Sequence, residues 1–164
     1  MSDATVSTPA PMKFAAKVAL GAYITSLNAG LTAALIATWP GTETLAIPAE
    51  TRYLICAATA GALGSYIHLA TSFIDYAGRE RLTTSWAWWY VLRPWIGSAL
   101  ALVVYFVLRA GFIAGPADAT QAVNPYGVAS ICALSGMFSP QATEKLRELF
   151  ENICSVQKNR EASE

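Results

Sequence analysis

The chain has 164 residues, 54% of them hydrophobic and 13% charged, and its 11 basic and 11 acidic side chains leave no net charge. This length allows one compact bundle and no second domain. The balanced charge argues against a nucleic-acid partner, which would need a clustered positive surface. The high apolar content is typical of a lipid-embedded chain.

Four long stretches carry no formal charge, residues 18–42, 53–74, 94–108 and 119–143. A helix rises about 1.5 Å per residue, so roughly 20 apolar residues cross a hydrocarbon core of about 30 Å. The stretches predict an all-α, polytopic membrane bundle of four hydrophobic helices, the fourth short or half-spanning. A C-terminal amphipathic cytoplasmic helix is expected to follow the bundle.

Local signals set the expected boundaries of these elements. Residues 1–12 and 157–164 are expected to be disordered tails, 13–139 the transmembrane bundle, and 140–156 the amphipathic helix. Within the bundle, the four spans are expected at about 15–39, 52–76, 93–112 and 119–138.

The second span carries polar residues at steps of three and four, which place them on one helix face: Ser65, His68, Thr71, Ser72 and Asp75. Polar groups are expensive in lipid, so they face a bundle interior or a water-filled path. The stripe therefore predicts an ion pathway, with His68 near the bilayer centre and Asp75 near the cytoplasmic mouth. The alternative is helix packing, in which the hydroxyls bond between helices and Asp75 pairs with Arg79.

Four tryptophans lie within ten residues of one another: Trp86, Trp88, Trp89 and Trp95. Indole rings prefer the headgroup level of a bilayer, so this segment predicts an interfacial belt. Pro94 is tolerated in the first turn of a helix, where its missing N–H costs nothing. The pair Arg93-Pro94 therefore predicts the start of the third helix.

The fourth span contains two helix-start signals, Asn124-Pro125 and Ser139-Pro140. A helix over 125–138 would be about 20 Å long, which is short of a full crossing. Either it extends upstream through 117–123, or it is a re-entrant half-helix. A half-helix that begins at Asn124 and Pro125 inside the membrane would suit anions or water, whereas the alternative is an ordinary cap at the outer surface.

The C-terminal segment places Leu146, Leu149, Phe150 and Ile153 on one face at helical spacing. This face could lie on the membrane, pack under the bundle, or meet a neighbouring subunit. The opposite face is acid-rich and would be repelled by anionic lipid, which favours contact between subunits.

The distribution of Lys and Arg predicts the orientation in the membrane. With four crossings, nine of the eleven Lys and Arg residues lie on one side of the membrane, so both termini are expected in the cytoplasm. The expected host membrane is a bacterial inner membrane. If the fourth helix is re-entrant, the count becomes five against six and no longer discriminates.

The sequence contains no catalytic signature, and nothing pairs a nucleophile with a base, so an enzyme is not expected. One histidine and three cysteines without CxxC spacing predict no metal site, no cofactor and no disulfide framework.

The first functional hypothesis is a homo-oligomeric ion channel. The centre of a four-helix bundle is filled by its own side chains, so a path for ions would have to form on an axis between subunits. Carboxylates near the mouths would favour small cations if they line the path: Glu43 and Glu50 outside, Asp75 and Glu80 inside. The alternative is a non-conducting accessory or scaffold subunit of a larger membrane assembly.

Overall fold

The structure, a computed structural model, describes residues 12–42, 45–110 and 124–161, with side chains through Asn152. All the regular secondary structure in these ranges is helical, and the described residues form no strand. The helices are α1 (Phe14–Ala37), α2 (Ala49–Gly78), α3 (Ala87–Arg109), α4 (Pro125–Met137) and α5 (Ser139–Glu161), with a 3-10 turn at Thr84–Trp86. The all-α prediction is therefore confirmed for the described residues.

Several expectations fall outside the described residues. They are residues 1–11 and 162–164 of the tails predicted over 1–12 and 157–164, the acidic residue Glu43, and the upstream extension of the fourth helix through 117–123. The side chain of Ile153 also lies outside the described residues. The remaining parts of the two predicted tails are not disordered in the structure: residues 157–161 belong to helix α5, and Met12 is buried and donates its N–H to the Leu82 carbonyl at 2.8 Å.

Three helical stretches of the described chain are long and apolar enough to cross a membrane: Phe14–Ala37, Ala49–Gly78 and Thr84–Arg109. Helix α4 has 13 residues and is therefore about 20 Å long. Three of the four predicted spans thus have the required length in the described residues, which is compatible with an integral membrane protein.

Helix α3 corrects one boundary of the sequence analysis. It begins at Ala87, so the tryptophan-rich segment is helical and Pro94 lies inside the helix instead of opening it. Proline is favoured at a first helical turn, but it is also tolerated inside a membrane helix, where neighbouring groups compensate for the lost hydrogen bond. The sequence signal at Pro94 was therefore ambiguous, and the prediction that the helix begins there is wrong.

Glycines hold α2, α3 and α4 in close contact. A Cβ atom added to Gly61 would lie 2.6 Å from the carbonyl oxygen of Gly97 on α3. A Cβ atom on Gly64 would fall within 3.0 Å of the backbone of Ala133 on α4, and one on Gly136 within 3.0 Å of the Gly61 carbonyl. Small residues allow such close approach of helix backbones in membranes. Among the described helices, α2 makes its most extensive contacts with α3 and α4 as a result.

Helix α4 ends about halfway along α2. Its last turn, at Gly136, lies against Gly61 and Ser65, whereas α2 continues to Gly78. Helix α5 follows after a single residue, Phe138.

Helices α4 and α5 are joined at a sharp angle at Phe138. Residues from both helices and from α3 border one apolar groove of about 310 Å³: Val104, Ile131, Leu134, Phe138, Ala142, Leu146 and Leu149 among them. Side chains more than a turn from the junction on each helix face the same groove, so α5 turns back toward α4.

The α1–α2 connection is organised by Arg52, whose side chain is only 8% exposed. Its Nε donates to the Ile47 carbonyl at 3.1 Å, and its two terminal nitrogens donate to the carbonyls of Thr42 and Leu45. Thr42 also accepts a bond at its hydroxyl. One guanidinium thus satisfies carbonyl groups at three positions of a connecting segment.

Helix packing at Gly64 predicts a sharp response to one added methyl group. Gly64→Ala should lower stability by about 1–3 kcal/mol, because the α4 backbone cannot move away without disturbing the whole contact. Thermal unfolding of the detergent-solubilised protein, followed by circular dichroism, measures the change. Gly30→Ala is the matched control, since a Cβ there meets nothing within 4 Å. Equal melting temperatures for the two variants would contradict the prediction.

Candidate functional site

The polar stripe predicted on α2 falls into two halves. The buried half comprises Ser65, which lies beside the buried glycines Gly61 and Gly64, and the open half comprises His68, Thr71 and Asp75, with half-buried Ser72 beside it. The division follows from the length of α4, which covers the first half and ends before the second. Two residues of the open half, His68 and Thr71, border a cleft at the end of α4.

Ser65 is fully buried and acts in helix packing. Its hydroxyl donates to the carbonyl of Gly136 on α4 at 3.0 Å, and the Ser139 hydroxyl donates to the same carbonyl at 2.8 Å. Ser65 also occupies the space beside Gly97 on α3. The packing alternative of the sequence analysis describes this position, and Ser65 is fully enclosed by the described residues.

The cleft is a cavity of about 440 Å³ bordered by α2, α3, the end of α4 and the start of α5. Its polar lining consists of His68, Thr71, Arg93 and Gln141, and its apolar lining of Ile67, Met137, Phe138 and Pro140. The Thr71 hydroxyl donates to carbonyls of its own helix, at Ile67 and His68, both at 3.0 Å. The Thr71 hydroxyl thus needs no partner from another helix.

Arg93 is the cation of this cleft. Its guanidinium carbon lies 5.6 Å from the centre of the Trp89 ring, a cation–π distance. Its Nε is buried and has no hydrogen-bond partner within the described residues, and Arg93 takes part in none of the ion pairs found there. The His68 ring also packs edge-on against Trp89, at 6.1 Å between ring centres.

Two of the predicted mouth carboxylates are neutralised by arginines. Glu50 pairs with Arg109 at 3.0 Å, and Asp75 pairs with Arg79 at 2.7 Å, the i,i+4 contact that the sequence analysis gave as an alternative. Both pairs are solvent-exposed, so each contributes little to stability. Glu80 is exposed and lies in the left-handed region with φ of 56°, two residues after the end of α2.

Asn124 and Pro125 begin α4 as the sequence predicts. The Asn124 side chain accepts a bond from the Tyr126 N–H at 3.0 Å, and Pro125 occupies the first turn. Tyr126 packs against Trp39 at the end of α1, with 5.0 Å between ring centres. The start of α4 therefore lies at the same end of the bundle as the α1–α2 connection.

The predicted belt residues point in different directions. Trp86, Trp88 and Trp95 are 50%, 72% and 68% exposed, which suits contact with lipid. Trp89 turns inward and joins a ring cluster with Trp86 and Tyr90. Trp89 is also the belt residue that contacts two residues of the cleft lining, His68 and Arg93.

The predicted subunit-contact residues of α5 also divide. Leu146 and Leu149 are half-buried and border the groove shared with α3 and α4, whereas Phe150 is 66% exposed. On the polar face, Lys145 donates to Glu148 at 2.6 Å, and this hydrogen bond raises the pKa of the Lys145 ammonium. Arg147 pairs with Glu151 at 2.9 Å.

No group of three or more metal-ligating side chains occurs within the described residues. Cys56 and Cys132 are free and fully buried, and the Cys132 thiol lies 3.5 Å from the Ala101 carbonyl on α3. They sit in the helix contact and away from the cleft lining.

Sequence reasoning missed Arg93 and Gln141 as site residues. Arg93 was used only as part of the predicted start of the third helix and as one of the basic residues that set the orientation, and Gln141 was only one residue of the predicted helix over 140–156. The one available signal was the arginine itself, adjoining an apolar stretch and following a tryptophan pair.

Over the residues that the structure describes, the fold is all-helical, three helices are long and apolar enough to cross a membrane, and the arginine of the cleft, Arg93, has no ion-pair partner. Comparison with known proteins adds nothing to that description, since no protein-family model, no curated protein and no solved structure matches the chain.

The burial of Ser65 predicts a structural response to its removal. Ser65→Ala should lower stability by about 1 kcal/mol, because it deletes a hydrogen bond between two helices. The comparison is Ser26→Ala, whose exposed hydroxyl bonds only carbonyls of its own helix. Thermal unfolding in detergent measures both. Ser65→Ala melting like the wild type would rule out the packing role.

Proposed function

We propose that the protein is a small homo-oligomeric integral membrane protein that forms an ion pathway on the axis between subunits. The observation that carries the proposal is the open half of α2, where His68 and Thr71 border a cleft beside Arg93. Exposed polar groups at mid-helix are costly in lipid, which favours contact with water or with a neighbouring subunit.

The contact between α2, α3 and α4 supports a path outside the single chain. Where these helices meet, Gly61 and Gly64 bring backbones together so closely that a methyl group would collide. An ion cannot pass through such a contact. A path along the open half of α2 is then completed by other subunits around a symmetry axis.

The charges favour anions over the cations that the sequence suggested. Glu50 and Asp75 are each paired with an arginine, while Arg93 has no carboxylate partner within the described residues. Rings of unpaired cations select anions in pores. We therefore propose an anion-favouring pathway, with Arg93 and His68 as its polar groups.

The length of α4 bears on the proposed topology. A half-helix favours the re-entrant alternative, in which α4 enters the membrane and α5 turns back, so the two termini lie on opposite sides. Lys and Arg then divide five against six, and their distribution assigns neither side. A bacterial inner membrane remains the proposed location.

An accessory subunit is the second candidate. An apolar crevice of about 220 Å³ opens between α1, α2 and α3, lined by residues such as Leu27, Ala58 and Trp95. Such a crevice suits side chains of a partner helix. In this case the purified protein would carry no current when reconstituted alone.

The selectivity of the pathway provides the first test. Reversal potentials of the purified protein in planar bilayers under a KCl gradient should indicate chloride preference. Arg93→Gln should reduce the chloride-to-potassium permeability ratio by roughly tenfold, because removing a partly buried charge costs an anion at least about 1.4 kcal/mol. Arg81→Gln removes an exposed charge and serves as control. Wild-type potassium preference, or an unchanged ratio in Arg93→Gln, would refute the anion pathway.

Subunit number provides the second test. Native mass spectrometry of protein released from lipid nanodiscs should give a ring of roughly four to six subunits. Phe150→Gln should shift the population toward smaller species, since the exposed Phe150 ring is the described α5 residue best placed to meet a neighbour. Glu144→Gln, also exposed on α5, is the matched control. A wild-type monomer would leave no axis for a path and would favour the accessory subunit.

A further inference from the structure

The cleft beside α4 holds polar side chains whose hydrogen-bonding capacity is unused. Arg93 Nε is a buried donor without a partner in the described part of the chain. Neither His68 nor Gln141 has a side-chain hydrogen bond to any described residue, although both border the cavity. Buried donors in folded proteins almost always have a partner, so Arg93 is a side chain whose hydrogen-bonding capacity the described residues leave unfilled, and it borders the cavity.

Arg93 is held in place before any ligand arrives. The Trp89 ring lies 5.6 Å from the guanidinium carbon, and its attraction restricts the long side chain. His68 packs against the same ring, so the imidazole and the guanidinium share one support. Fixing a donor in advance lowers the entropic cost of binding.

We propose that this cleft binds a phosphate-type oxyanion, with Arg93 as the principal ligand-binding residue. A guanidinium presents a planar fork of donors that matches a phosphate group bidentately. Gln141 on α5 and His68 on α2 offer further donors from two other helices, whereas the Thr71 hydroxyl hydrogen is already donated within its own helix. Among the described residues, none that lines the cavity is an Asp or Glu, so no described carboxylate competes for the guanidinium.

The phosphate group can come from a lipid headgroup or from solution. The apolar side chains of Ile67, Met137 and Phe138 border the same cavity and would accept the start of an acyl chain. Basic pockets between membrane helices bind anionic headgroups in this manner. The inference deepens the proposed anion pathway by naming the anion class at the same cleft, and it is tested by binding and not by current.

The experiment uses the full chain in maltoside micelles, which contain no phosphate. In one arm, dioleoyl phosphatidylglycerol or dioleoyl phosphatidylcholine is added, and native mass spectrometry counts the retained lipid. In the other, inorganic phosphate is titrated by calorimetry. The expected result is retention of phosphatidylglycerol over phosphatidylcholine, with affinity at least about tenfold lower in Arg93→Gln, since charge-assisted hydrogen bonds are lost.

Three further variants separate binding from folding. Arg93→Lys keeps the charge but loses the fork and should bind at an intermediate level. Gln141→Ala removes one donor at the start of α5 and should weaken binding less than Arg93→Gln. Arg81→Gln should bind like the wild type. Melting temperatures measured on each variant show whether the bundle is intact.

Each outcome either identifies the ligand or contradicts the proposed binding site. Retention of phosphatidylglycerol supports the headgroup, and calorimetric binding of phosphate without lipid retention supports the free oxyanion. Binding of neither, or equal binding by folded wild type, Arg93→Gln and Gln141→Ala, would overturn the proposal. Binding without conductance would contradict the proposed ion pathway but not the binding site. Chloride conductance without phosphate or lipid binding would contradict the binding site but not the pathway.

Discussion

The missing side chains at Gly61, Gly64 and Gly136 determine how closely α2, α3 and α4 approach one another, and the other features depend on that approach. Without a hydrophobic driving force between helices in lipid, association relies on van der Waals contact and interhelical hydrogen bonds. The buried Ser65 hydroxyl adds such a bond at the same place. The contact fixes the height at which α4 ends, and thereby leaves part of α2 uncovered.

The described arginines of α2 and α3, and Arg79 just after α2, differ in the groups that compensate their positive charge. Arg79 and Arg109 pair with carboxylates at opposite ends of α2, and Arg52 is satisfied by backbone carbonyls. Arg93 differs from these three because only an aromatic ring accompanies it in the described structure. A protein of zero net charge can therefore still present a local positive site.

Much of the fold can be predicted from the sequence because it depends on local properties of the chain. Length and apolar composition locate the long helices, and the Asn124 cap needs only its own neighbours. Pro94 was misjudged since proline is favoured at a first helical turn but is also tolerated inside a membrane helix. The cleft was missed for a different reason: His68, Arg93 and Gln141 come from three separate helices, and only the stopping point of α4 brings them to one cavity. Periodicity showed the polar stripe but could not show which half another helix would cover.

The guanidinium of Arg52 bears on how such a chain is made. Its carbonyl partners lie five, seven and ten residues before it in the chain, so every contact it needs has already been synthesised when Arg52 emerges. The connection between α1 and α2 can thus take its final shape before α3 and α4 exist. Since helix α1 makes its main described contacts with α2, the first two helices can enter a membrane as a preformed hairpin. The later helices are then added to one face of an element whose turn is already closed.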